Sequence, residues 1–321
     1  MRRLNYEQRD LGFSFALATG VMLASALVLS LLFGGAESGW QFWVMQSLYT
    51  LLIGLSGVVF AAVTKTDFFA ASKLNKAPHW SHLLWGCGAV VFLVFCMSQI
   101  NSLFLDVIES TGLGRPSVSL DDSLVGLIVC ACVMPAFTEE ILFRGTVAQT
   151  LYNHKNKLAA LAISGALFAL FHGNPAQTLH QFVLGAFLTL LVYRSGSLWT
   201  SVIVHFFNNA FVVAMSYTPL GADEFWSFQT NPVWAWIFTV GGIVGFALCV
   251  FGYVKTTKSS WQSDRQAEQD GQSEQVSDDG EQAEQDEEKK LRIAGYTKRS
   301  KIMLWVAIGA CAVLWIAQLF L

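Results

Sequence analysis

The sequence predicts an all-α, polytopic membrane protein of about nine transmembrane helices, with the N-terminus cytoplasmic and the C-terminus outside. Three observations carry that prediction. Hydrophobic residues make up 54% of the chain against 13% charged, and the mean hydropathy is +0.47, more apolar than a water-soluble domain of 321 residues tolerates. Apolar stretches of about 20 residues, the length that crosses ~30 Å of hydrocarbon at about 1.5 Å per residue, recur along most of the chain. Lys and Arg fall almost wholly into one of the two alternating sets of loops.

In order, the apolar stretches cover residues 11–33, 42–63, 83–105, 124–143, 158–172, 179–193, 198–217, 233–254 and 302–321. The first follows a basic N-terminus, but it is longer than a signal-peptide apolar region and lacks a small-x-small exit, so it is read as an uncleaved helix. If successive helices alternate direction, one side holds Arg2, Arg3, Arg9, Lys65, Lys73, Lys76, Arg144, Lys155, Lys157, Arg194, Lys255, Lys258 and the bases of 265–301. The other side holds only Arg115 among bases, with acids such as Glu37, Asp106, Glu109, Asp121, Asp122, Asp223 and Glu224. The first side is therefore the cytoplasmic one, and adding or dropping a span would scramble the asymmetry.

These stretches divide the chain into an N-terminal three-helix membrane region (1–120), a membrane core with its following helix (121–256), a linker (257–300) and a C-terminal transmembrane helix (301–321). The linker carries 11 of the chain's 23 acids between Trp261 and Glu288. It buries too little apolar surface to offset chain entropy, so it is expected to be a disordered cytoplasmic tether. Its basic end, from Lys289 to Lys301, would lie against anionic headgroups. The six cysteines sit in or near apolar spans without paired spacing, which suggests neither disulfides nor a metal clip. Membrane lipids and a membrane-associated peptide or protein are the expected partners, and no nucleic acid is.

Ionisable groups at membrane depth are costly and seldom kept without a role, and three clusters stand out. In "PAFTEEILFRG", Glu140 and Arg144 are four residues apart with the acid first, the order that favours an ion pair on one helix face. Glu139 points about 100° away and is left as an available base, while Pro135 is a bend that opens room beside it. In "FALFHGNP", Phe168 and His172 share a face, and Gly173 and Pro175 then break the helix. In "VIVHFFNNAF", His205 and Asn209 share a face, and Asn208 points elsewhere. Each cluster alone also fits a bland role: a buried ion-pair network, a helix-end histidine, interhelical hydrogen-bond glue. Together, a carboxylate, two imidazoles and an amide at compatible depths supply a base, an orienter and oxyanion donors, the apparatus of amide hydrolysis by water. For His172 to reach that depth, a kink near Gly165 or the break at Gly173 must bring it inward. His79, His82 and His154 are assigned to cytoplasmic loops, and His180, near the outside end of its span, either to the interface or to the cavity lining.

The order E-E-x-x-x-R, F-x-x-x-H and H-x-x-x-N, together with "FVLGAFLTLLVYRSGSLW", resembles the CAAX protease and bacteriocin-processing (CPBP, or Abi) family of intramembrane proteases, related to the type II CAAX prenyl endopeptidases. The likeness covers roughly residues 125–217. It implies a helical core with a site facing a cavity that opens toward the cytoplasm. It also implies that Glu139 activates water with His172, that His205 and Asn209 bind the oxyanion, and that Glu140 with Arg144 supports the helix. No cofactor is favoured. Zinc on Glu139, His172 and His205 is the alternative, although H-E-x-x-H is absent. The implied activity is endopeptidase action on membrane-associated substrates in a bacterial plasma membrane. A proton-coupled transporter and a non-catalytic scaffold or immunity protein are the competing readings.

Overall fold

The computed structural model describes residues 3–34, 39–113, 124–154, 156–217, 231–257, 259 and 297–320. Most of the acidic linker lies outside these residues, as do Arg115, Glu37, Asp121, Asp122, Lys155, Asp223 and Glu224. The described chain forms nine principal helices. They are α1 Leu11–Phe33, α2 Gly39–Val63, α3 Trp80–Ser110, α4 Leu124–Leu151, α5 Lys157–Phe171, α6 Thr178–Ser195, α7 Leu198–Ser216, α8 Pro232–Thr256 and α9 Lys298–Ala317.

Eight of the nine are long and apolar enough to cross a membrane; α5, with 15 residues, is the exception. At about 1.5 Å per residue it reaches ~22 Å. Local chemistry sets this length at both ends. The Asn156 side chain accepts from the Ala159 amide and starts the helix, and Gly173, with φ of +60°, stops it ahead of Pro175. The turn at 172–177 then folds α6 back along α5.

That hairpin is unusually close. A Cβ on Gly165 would lie 2.5 Å from the Phe182 carbonyl oxygen, and one on Gly185 would lie 3.0 Å from the Gly165 Cα. With no hydrophobic drive between helices in lipid, such small-residue approaches let backbones and side chains pack by dispersion. Around the hairpin, α1 packs on α2 and α9, α2 packs on α4, and α3 packs on α6, α7 and α8. Two apolar clusters result. One joins Leu11 and Phe15 of α1, Phe143 and Val147 of α4, Phe168 of α5 and Ala307 of α9. The other joins Val90 and Leu93 of α3, Leu184 and Leu188 of α6, Val204 of α7 and Tyr253 of α8. Large aliphatic side chains such as Leu31, Val107 and Ile243 stay exposed on the outer helix faces, where lipid would cover them.

The helix that matters most, α4, is irregular. It is α-helical over Met134–Leu142, with π-helical segments Leu127–Val133 before and Phe143–Val147 after. Both glutamates sit on the regular part.

Candidate active site

The adjacent glutamates of α4 face different neighbours. Glu140 is 0% exposed, and its Oε1 accepts from Arg144 Nη1 at 2.7 Å, the pair its spacing predicts. The same oxygen lies 2.8 Å from His205 Nδ1 on α7. Arg144, also 0% exposed, donates from Nη2 to the Gly185 carbonyl at 3.2 Å, and its guanidinium lies over the Phe168 ring at 4.1 Å. The tight α5–α6 crossing is what delivers both the Gly185 carbonyl and Phe168 to this cation. A charge here is tolerated because it is paired and hydrogen-bonded on several sides.

Glu139 is turned the other way, into a cavity of about 580 Å³, a size typical of ligand sites. Its Oε2 is buried without a hydrogen-bond partner and stands 3.7 Å from His172 Nε2. The backbone fixes the His172 tautomer. Nδ1 is 2.9 Å from the Phe168 carbonyl, an acceptor that can take only a proton, so in the neutral ring Nε2 is left as an acceptor. Two acceptors, Glu139 Oε2 and His172 Nε2, then face one another beyond direct hydrogen-bond range. A single water donating one hydrogen to each satisfies both.

His172 reaches this place as the residue capping the C-terminal end of α5, just before the break at Gly173. Phe168 serves the site as a wedge: its ring lies 4.6 Å from the His172 ring and 6.0 Å from the His205 ring, centroid to centroid.

His205 is 1% exposed. Its Nδ1 is committed to Glu140, so Nε2 is the nitrogen available to the cavity that the residue lines. Asn209 also lines the cavity; its Nδ2 donates to the Ala131 carbonyl at 2.9 Å, and its Oδ1 accepts from Asn208 Nδ2 at 3.0 Å. The Ala131 bond follows from Pro135. Proline has no N–H to offer the carbonyl four residues back, and Asn209 donates there instead.

One placement differs from the sequence reading, and one open alternative is resolved. Asn208 lines the cavity together with Asn209, and of the two places open to His180 it takes the cavity wall. Sequence reasoning also passed over the wall that α3 contributes, where Ser98, Gln99, Asn101 and Ser102 interrupt an apolar helix. That polar run was the available signal. Asn101 donates from Nδ2 to the Ala176 carbonyl at 2.6 Å, leaving its Oδ1 buried and unpartnered, as is Gln181 Oε1 on α6.

Among the described residues no three His, Cys, Asp or Glu side chains converge as a metal-ligand group. His205 places Nδ1 on Glu140, and Glu139 Oε2 stands 3.7 Å from His172 Nε2. All six cysteines are free.

Comparison with known proteins points in one direction. Residues 121–211 match the family described as type II CAAX prenyl endopeptidase Rce1-like. Over 136 residues, 41% of this chain, the sequence is 28% identical to a protein of Bacillus subtilis (strain 168) named "Putative membrane peptidase YdiL". The match takes in 50% of that protein, so the chain spans about half the length of the curated relative it matches. No solved structure matches the chain.

Proposed function

We propose, from the premise that residues 121–211 carry a CPBP-family core of the type II CAAX prenyl endopeptidase kind, that this protein is an intramembrane endopeptidase. The observation that carries the reading is the pairing of an unpartnered buried carboxylate oxygen, Glu139 Oε2, with His172 Nε2 at 3.7 Å inside the cavity.

In the proposed reaction a water held by Glu139 and His172 attacks the peptide carbonyl carbon and passes a proton to Glu139. The carbonyl oxygen becomes an oxyanion that accepts from His205 Nε2 and from the Asn209 amide. For Nε2 to donate while Nδ1 donates to Glu140, the His205 ring must carry both protons. The carboxylate of Glu140, at 2.8 Å, stabilises that imidazolium. Collapse of the tetrahedral intermediate breaks the C–N bond, and the proton on Glu139 passes to the leaving amine. Glu140 and Arg144 act through His205 and touch no reacting atom. No step is routed through a metal. The substrate class is a membrane-associated peptide or protein, and the setting is a bacterial plasma membrane.

The test compares membranes from cells expressing wild type and Glu139→Gln, with cleavage products read by mass spectrometry with and without a strong chelator. Loss of the general base is expected to lower cleavage by about 10²- to 10⁴-fold, with no chelator sensitivity. Absence of any Glu139-dependent product would leave the scaffold and transporter readings standing and remove this one. Cleavage abolished by the chelator would remove the metal-free mechanism.

A further inference from the structure

We propose that Asn101 on α3 and Gln181 on α6 form an acceptor subsite in the cavity wall, one that takes backbone N–H groups of an extended peptide segment. The guest's own helix is then opened where it is bound. Calling that guest a substrate rests on the protease reading; the acceptor chemistry of the wall does not.

A buried polar atom without a partner costs free energy, so folded chains keep few of them. Among the described residues nine buried side-chain nitrogen or oxygen atoms lack a hydrogen-bond partner, and five of the nine belong to residues that line this one cavity. Glu139 Oε2 is the one the proposed reaction uses. Two others can serve each other. The Ala131 carbonyl takes Asn209 Nδ2 at 2.9 Å, Asn209 Oδ1 accepts from Asn208 Nδ2 at 3.0 Å, and Asn208 Oδ1 is the atom left at the end of that chain. His180 is its neighbour, and Nε2, when it carries the ring proton, can donate to that oxygen.

Asn101 Oδ1 and Gln181 Oε1 are what remain, and both can only accept. A backbone carbonyl fixes the first. Ala176 offers Asn101 an oxygen, so the amide nitrogen faces it at 2.6 Å and Oδ1 is left over; turning the amide over would set oxygen against oxygen. Acceptors select donors. The N–H groups inside a helix are spent on carbonyls four residues back, whereas an extended segment has them free at every residue. Main-chain bonds of this kind give affinity without reading side chains. Selection among sequences then falls to the apolar part of the lining, where Met97, Leu105 and Val212 share the cavity with the two amides.

The experiment measures binding to purified full-length protein in a Glu139→Gln background, so that no peptide is consumed. The probes are two fluorescein-labelled peptides of Leu, Val and Ala, about 12 residues long and ~40 Å when extended, with identical side chains. One has amides throughout. The other carries esters at alternate interior links, beyond the first four N–H groups, which even a helix leaves free. Dissociation constants are read by fluorescence polarisation. The amide peptide is expected to bind about 10-fold more tightly than the ester peptide, and Gln181→Met to shrink that ratio by about 3-fold while leaving the ester peptide's affinity unchanged. Gln181→Leu repeats the measurement with a different side-chain shape, and melting temperatures report the folding of both variants. No binding of the amide peptide, equal binding of the two peptides, or a ratio that neither Gln181 variant changes overturns the proposal. Turnover plays no part in this readout, so it fails separately from the comparison of cleavage products between wild type and Glu139→Gln.

Discussion

Replacing Arg144 by Met tests whether Glu140 is held as one half of a buried charged network. Met fills much of the aliphatic stem's space but loses the bond to Glu140 Oε1 at 2.7 Å, the bond to the Gly185 carbonyl at 3.2 Å and the stacking over Phe168 at 4.1 Å. Removing one partner of a buried pair costs about 3–5 kcal/mol, because the remaining charge is left uncompensated. A desolvated cation–π contact adds up to about 2 kcal/mol. His205 Nδ1, 2.8 Å from the same carboxylate oxygen, keeps part of the compensation. The expected loss is therefore about 4 kcal/mol, in the lower half of the combined range of about 3–7 kcal/mol. Glu140→Gln alone strands Arg144 in the same way. The double variant Glu140→Gln/Arg144→Met removes both charges and is expected to cost less than the sum of the singles by about 2 kcal/mol, a coupling typical of residues in contact. The assay is unfolding of the detergent-solubilised protein followed by tryptophan fluorescence, for which the chain has 11 reporters. Single effects that add to within about 0.5 kcal/mol, or an Arg144→Met loss below about 1 kcal/mol, would refute the network argument.

Gly165→Ala drives a Cβ to 2.5 Å from the Phe182 carbonyl oxygen, whereas Gly20→Ala meets nothing within 4 Å. The first is expected to lower the melting temperature and cleavage together by separating α5 from α6, and the second to be neutral or to stabilise by about 0.5–1 kcal/mol. Gln181→Leu removes a buried acceptor without a partner, so it is expected to raise stability by up to about 1–3 kcal/mol while raising KM if that oxygen serves the substrate; unchanged KM would detach the residue from binding. Asn209→Ala loses the bond to the Ala131 carbonyl and is expected to cost about 1 kcal/mol of stability beside a fall in kcat, whereas a change in KM alone would argue against the oxyanion role.

Much of this site was legible because helical spacing is a strong constraint over short distances. The four-residue step from Glu140 to Arg144 makes the ion pair on any regular helix, and the step from Phe168 to His172 puts ring and imidazole on one face. What spacing leaves out is where a helix stops and how near its neighbour comes. The depth of His172 depends on α5 ending at Phe171 and on the Gly165–Gly185 approach, and hydropathy reports neither. Asn208 was misplaced because a 100° step was taken to carry it off the active face. A cavity of about 580 Å³ is wide enough to take in both neighbours.

The irregular backbone of α4 belongs to the same argument. Pro135 withholds an N–H from the Ala131 carbonyl, and the π-helical turns on either side of Met134–Leu142 displace the usual i to i−4 partners. Displaced carbonyls need donors, and side chains supply them: Asn209 Nδ2 reaches Ala131 at 2.9 Å, and Gln149 Nε2 reaches Arg144 at 2.8 Å. One of these ties α4 to α7 on the cavity side of the glutamates, and the other braces α4 on the basic side. The stretch that carries Glu139 and Glu140 is thus pinned at both ends by bonds that a regular helix would have no carbonyl free to make. Such pinning lets two adjacent carboxylates keep different neighbours, one bonded to Arg144 and His205, the other turned toward the cavity with Oε2 3.7 Å from His172 Nε2.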